Sequence, residues 1–206
     1  MYALVEDGSI SKLITNPKSM VIGDVRYPAK IFQLWSKSEL NAIGIYEVVF
    51  NNSNFKDEKW YLNTNQSFAF ADGAVTASYG TATAKAHADI LWTTQDKTNG
   101  NIPDGKDVGD VAVKGLKTVL IETLKSQVAG ILNDTDWYIT RNAEKSTAIP
   151  SAISTYRDSV RTKQASMETA ITNASDTPAL ETLYTYTKQE DGTVTRPLGE
   201  LPVLES

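Results

Sequence analysis

A chain of 206 residues can bury a sizeable core, and 41% hydrophobic with 22% charged residues is the composition of a folded domain rather than a disordered one. A formal net charge of −5, with no block of Lys and Arg, argues against a nucleic-acid protein, because a polyphosphate needs a basic surface. Cysteine is absent, which excludes disulfides, zinc–thiolate and iron–sulfur centres and cysteine nucleophiles.

From Met1 to Gly8 there is no basic stretch followed by an apolar one, so no signal peptide is expected. No apolar run approaches the roughly 20 residues that cross a bilayer, and the expectation is a soluble chain made in the cytoplasm, without membrane contact. Tyr2 to Val5 and Ile10 to Ile14 are short apolar stretches either side of Glu6-Asp7-Gly8-Ser9, which predicts a hairpin. Asn16-Pro17 breaks the pattern. Ser36, with Glu39 three residues on, has the form of a capping box and predicts a short helix from Ser36 to Ile43, ended by a left-handed Gly44. Ile45 to Phe50 reads as a strand.

From Trp60 to Thr83 the alternation sharpens. Trp60, Leu62 and Thr64 share one face, and Phe68 and Phe70 alternate with Ser67, Ala69 and Ala71. Asp72-Gly73 is a two-residue turn signal, and Val75, Ala77 and Tyr79 give the returning strand its apolar face, so a β-meander is expected. Gln95 to Gly105 is polar and rich in turn formers, which predicts a linker or a long surface loop over residues 96–110 and a domain boundary there. Beyond it the period becomes helical. Val111, Leu116, Val119, Leu120, Thr123, Leu124, Val128, Ile131 and Leu132 mark one face. Gly130 and Asn133-Asp134 suggest an end or bend, a second helical pattern starts near Thr135, and Pro150 suits the first turn of a further helix. That helix carries Ile153, Tyr156, Val160, Met167 and Ile171 in a nearly heptad-like stripe that skips Lys163-Gln164. Asp176-Thr177-Pro178 predicts a short helix over Ala179 to Leu183, and Asp191-Gly192 a hairpin, followed by a strap marked by Pro197 and Pro202.

The expected fold class is therefore α+β: a β-rich meander domain over residues 1–95, a linker or loop over 96–110, a helical hairpin over 111–183 and an extended or hairpin tail over 184–206.

Catalytic chemistry finds little support. His87 is the only histidine and stands among alanines and a lysine, a setting more usual for a boundary residue than a catalyst. No serine sits in a Gly-x-Ser-x-Gly elbow, and no glycine-rich loop ends in Gly-Lys-Ser/Thr. The acids between Asp104 and Asp110 do not have the spacing of a calcium loop and read as a solvated turn. Trp60, Tyr61, Phe68, Phe70 and Tyr79 could line a sugar-binding platform, although strand spacing turns about half of such rings toward a core. Neither an enzymatic site nor a cofactor or metal site is expected.

Leu132, Thr135, Asp136, Trp137, Arg141 and Glu144, then Pro150, Tyr156, Arg157 and Arg161, form a pattern that resembles the C-terminal region of tailed-bacteriophage tail-fibre assembly and tail assembly chaperone proteins. Arg26-Tyr27-Pro28, Phe32, Leu34-Trp35-Ser36 and Leu40 with Ile43 to Tyr46 look like the start of marine cyanophage virion-associated proteins. The first resemblance covers about 30 residues and implies phage lineage more firmly than one role. It implies a virion component made in the host cytoplasm, homo-oligomeric and in contact with other phage structural proteins, or else an assembly chaperone that leaves before the particle is complete. On the residues themselves, Trp137, Arg141 and Pro150 are expected to anchor a helical corner, with Arg141 able to pair with Glu144. Ile153, Tyr156, Arg157, Val160, Arg161, Met167 and Ile171 are expected to face a partner subunit, with the strap laid over a neighbour.

Overall fold

Asp7-Gly8 and Asp72-Gly73 both adopt positive φ at the two turn positions (49° and 74°; 50° and 70°), which is what a two-residue hairpin needs to match the twist of its strands. In the computed structural model, which describes residues 1–204, these turns join β1 (Tyr2–Glu6) to β2 (Ser9–Ile14) and β7 (Ser67–Ala71) to β8 (Ala74–Ser78). Between the hairpins lie β3 (Met20–Ile22), β4 (Val25–Tyr27), α1 (Ile31–Leu34), α2 (Lys37–Ala42), β5 (Ile45–Asn51) and β6 (Tyr61–Leu62). β9 (Thr83–Ala84) follows. The chain divides into two compact units, Met1–Thr83 and a second beginning at Ala84.

The main sheet of the first unit has the order β2-β1-β5-β8-β7. It is not the expected meander, because β5 and β8 run parallel, with Val48 opposite Val75 and Phe50 opposite Ala77. Alternation in the sequence reveals which face a strand buries but not which strand lies beside it. One face packs Leu4, Ile14, Ile31, Phe32, Leu40 and Ile45 into a core under α1 and α2. The other gathers Ala3, Val48, Val75 and Ala77, with Tyr46, Phe68 and Phe70 against them. The capping box is present: Ser36 accepts from the Glu39 amide while the Glu39 carboxylate accepts from the Ser36 amide at 2.7 Å, and the Ser36 hydroxyl first, then that amide, lowers the Glu39 pKa. Gly44 takes φ 81°, and a Cβ there would stand 2.7 Å from the Val5 carbonyl oxygen, so the position needs glycine twice over.

The second unit opens with β10 (Ile90–Leu91), α3 (Thr94–Thr98) and β11 (Val111–Val113), and continues with α4 (Leu116–Asn133), α5 (Asp136–Lys145), α6 (Ser151–Asn173), α7 (Thr177–Tyr184), β12 (Thr187–Lys188) and β13 (Val194–Thr195). Of the two readings of residues 96–110, the structure has the loop, closed between the paired strands β10 and β11, and not a linker between domains. Thr93 and Asp96 form a second capping box, and Lys97 bridges to Asp107 at 2.9 Å. Polar residues bond each other here, so the turn-former content that looked like a boundary marks a folded loop. Val111 accordingly starts a strand and not the helix. The boundary falls earlier, between Thr83 and Ala84, in an Ala/Thr stretch without a strong breaker.

Residues 85–89 have no ladder of their own, and neighbouring helices satisfy them. The Ala86 and His87 carbonyls accept from the Leu116 and Lys117 amides, the Lys85 carbonyl from the buried Thr177 hydroxyl, and Asp89 accepts from the Gly115 amide at 2.7 Å. Orphan donors at the N-terminus of α4 are thus capped by a distant segment. The close approach leaves no room for a Cβ at Gly115, which would overlap the Ala88 carbonyl. The Gly115 amide first, then the Thr118 hydroxyl and Lys114, holds the Asp89 carboxyl below its ordinary value.

α4 and α6 are antiparallel, since Arg157 near the start of α6 reaches Leu132 at the end of α4, and Lys117 near the start of α4 donates to the Thr172 carbonyl. Leu120, Leu124 and Val128 of α4 and Ile153, Val160, Met167 and Ile171 of α6 are buried in this unit. The tail ends the helical core: Asp176 caps α7 by accepting from the Ala179 amide, and β12 and β13 form the expected hairpin around Gly192.

Two variants separate backbone fit from helix propensity. Gly115→Ala is expected to destabilise by about 1–3 kcal/mol, because the backbone must yield. Gly130→Ala, in the α4 interior with nothing within 4 Å of an added Cβ, is expected to stabilise by about 0.5–1 kcal/mol. Chemical denaturation of both variants measures this. Asp89 also gives a pH signature. Its depressed folded pKa contributes stability that is fully present above the ordinary aspartate value of about 3.9 and is lost as pH falls through the lowered value. Unfolding free energy against pH should therefore fall less steeply below pH about 4 in Asp89→Asn than in the wild type.

Candidate functional site

Where α4 ends, its last carbonyls lack intrahelical partners, and the first turn of α5 begins three residues later. Arg157, 7% exposed, is placed between the two. Its Nη1 donates to the Leu132 carbonyl at 2.8 Å and to the Thr135 hydroxyl at 2.6 Å, and its Nη2 pairs with Asp136 Oδ1 at 2.8 Å. Thr135 donates its own hydroxyl proton to the Leu132 carbonyl at 3.0 Å, so one carbonyl collects the main chain, the hydroxyl and the guanidinium. A cation at the carbonyl end of α4, with an acid in the first turn of α5, complements both helix dipoles. Asp136 is half exposed, so the ion pair is screened on its side, and the two neutral acceptors hold the arginine from within.

This assigns the residues differently from the sequence expectation in several places. Arg157 is a buried lock within the chain and not a partner-facing charge. Ile153, Val160, Met167 and Ile171 do not face a neighbour either; the α4 stripe covers them in the same chain, with Val160 and Ile171 fully buried. A sequence stripe reports burial, and here a second helix of the chain supplies the cover. Tyr156 is half buried and donates to the Pro202 carbonyl at 3.4 Å, while Lys163 donates to the Leu198 carbonyl at 3.0 Å. The proline-marked strap therefore lies along its own α6 and not over a neighbour. Lys163, the polar step in the stripe, is what fastens it. Of the expected interface, Arg161 alone is exposed, beside Asp158. Pro150 is the cap position preceding α6, one residue before the first helical turn.

Trp137 departs furthest from expectation, as it is 52% exposed and not an internal anchor. Its ring lies 4.1 Å from that of Tyr138, and the Arg141 guanidinium stacks over it at 4.5 Å, with Tyr138 at 5.4 Å. Arg141 makes no ion pair or hydrogen bond among the described residues, Glu144 included, and its shielded Nε, like that of Arg157, has no acceptor. The outer side of the corner is thus a surface aromatic pair holding a cation. The i, i+1, i+4 spacing of Trp137, Tyr138 and Arg141 could have indicated the group, had Trp137 not been assigned to the interior.

Comparison with protein-family models, curated proteins and solved structures returned no match. What the corner does has to be argued from its own residues.

Elsewhere the surface offers little chemistry. No group of three or more His, Cys, Asp or Glu side chains comes together to hold a metal ion among the described residues. Likewise, no described helix is long and apolar enough to cross a membrane. His87 is half buried and serves through its backbone carbonyl. Trp60, proposed for a sugar platform, is 3% exposed, and Tyr79 packs its ring on Phe55 at 5.1 Å, so these rings do not form a shared exposed face. Burial of a strand-borne Trp is the ordinary outcome.

Arg157→Ala should lower stability by about 2–4 kcal/mol, since it opens a gap in the packed corner and removes the guanidinium's bonds to Leu132, Thr135 and Asp136. Arg157→Lys should recover only part of this, because one ammonium lacks the two-nitrogen fork that reaches Leu132 and Thr135 on one side and Asp136 on the other. Asp136→Asn should cost less, up to about 1 kcal/mol, as its pair is half exposed. Urea unfolding of the three variants gives the order.

Proposed function

We propose that this chain is a structural component of a tailed-phage virion, part of the tail, baseplate or fibre apparatus, that works through protein contacts and not catalysis. The observation that carries the reading is the corner. Leu132, Thr135, Asp136 and Arg157, four of the ten positions in the pattern that resembles phage tail-assembly proteins, meet in one buried lock. Trp137 and Arg141, from the same pattern, stand together on its outer side. Such a pattern is accounted for by a rigid presenting element, with one set of residues fixing the helices and the other facing outward. Trp, Tyr and Arg are the residues enriched where contacts hold protein partners together. Association with further copies of itself, as in most symmetric assemblies, belongs to the same proposal.

The alternative is a tail-fibre assembly chaperone, which the same corner would serve during fibre folding before leaving the particle. Quantitative mass spectrometry of purified virions separates the two. Peptides of this chain in fixed ratio to the tail proteins are expected. Their absence from particles, with the chain abundant in the infected-cell lysate, would overturn the virion reading in favour of the chaperone.

A further inference from the structure

The stacked arginine on α5 is an unfinished recognition element. A guanidinium carries five N–H donors in a flat fork that matches a carboxylate, and proteins normally match such a group with an acid or with carbonyls. Arg157, sixteen positions further on, does so fully at its two terminal nitrogens. Arg141 does not. It is drawn onto the Trp137 ring at 4.5 Å and flanked by Tyr138, and none of its nitrogens has an acceptor among the described residues. Glu144 is one turn away on the same helix but takes no ion pair with it. Asp136, five positions before it, is already committed to Arg157.

Stacking has a second consequence. The two rings hold the guanidinium plane and restrict the rotamers of a long side chain, so less freedom is left to lose when a partner binds. The base below is rigid too, because α5 starts from the Arg157 lock and ends at Ser146 in a left-handed cap with its amide on the Asn142 carbonyl at 2.8 Å. The half-exposed Trp137 beside it supplies apolar area that a bound segment could cover.

We propose that the Trp137–Tyr138–Arg141 face of α5 docks a carboxylate-bearing segment of another protein, with an Asp or Glu of that segment accepting from the terminal nitrogens of Arg141 and an adjoining apolar residue covering Trp137. The charge argument selects this occupant: the site offers a fixed cation with unclaimed donors, and an acidic side chain is the complement. The inference rests on the reading of the chain as a contact protein and adds the chemistry of the contact.

The test pans a random displayed-peptide library against the full chain and against Arg141→Gln and Trp137→Ala chains whose thermal unfolding is unchanged. Peptides retained by the wild type are expected to contain Asp or Glu, to bind Arg141→Gln at least about tenfold more weakly, and to lose binding to a similar degree when that acid is changed to its amide. Trp137→Ala should weaken them as well. Retained peptides without an acid, equal binding to Arg141→Gln, or no retained peptide would each overturn the proposal. So would a dimer of the wild type, seen by sedimentation and dissolved by Arg141→Gln, since the occupant would then be a second copy of this chain. Particle composition is a separate readout: the virion reading can fail there while the Arg141 site stands, and the reverse.

Discussion

The second unit depends on how a helix can stop inside a packed structure. α4 ends with carbonyls facing the place where α5 must begin, and no glycine is available at Asp134 to cap it with a left-handed turn. Arg157 resolves this from the opposite helix. Its buried guanidinium accepts the geometry of three oxygens, from Leu132, Thr135 and Asp136, and ties the end of one helix to the start of the next. A charge taken out of water is unfavourable unless matched, so only the folded corner offers it a low-energy place. That requirement makes the interaction selective for a single arrangement as well as stabilising.

Much follows from that position. With the corner fixed, α6 runs back along α4 and the two apolar stripes close on each other, from Val128 and Ile153 down to the level of Ile171. At the far end, Lys117 meets the C-terminal carbonyl of Thr172 and segment 85–89 caps α4. The strap then covers the remaining side of α6 through Leu198. The stripes are spent inside the chain, and what the corner leaves outside is the rings of α5 and the arginine beside them.

Local signals were legible in the sequence wherever the chemistry is local. Asp7-Gly8, Asp72-Gly73, the Ser36–Glu39 box, Gly44 and the Asp176 start all appear as read, and the α+β class with helices after strands holds. Partner choice was not legible. Nothing in the alternation of Val75 and Ala77 tells that β8 lies parallel to β5, and nothing in the period of Ile153 to Ile171 tells whether the cover is a neighbour or α4. Composition alone does not separate a linker from a folded loop after Thr93, because polar residues that bond each other look like polar residues that bond water. Trp137 and Arg157 were assigned by residue-type tendency, apolar inward and charged outward. At this corner both are reversed, because the helix ends require a donor and the outer surface keeps the rings.

The central claim is that Arg157 and Thr135 act as one unit in fixing the corner, and a double-mutant cycle measures it most directly. Arg157→Met, Thr135→Val and the double variant would be unfolded in urea alongside the wild type. The account predicts strong coupling, with the double variant more stable than the sum of the single losses by about 1–3 kcal/mol. Additive losses would contradict it, and would mean that the two residues stabilise the corner independently.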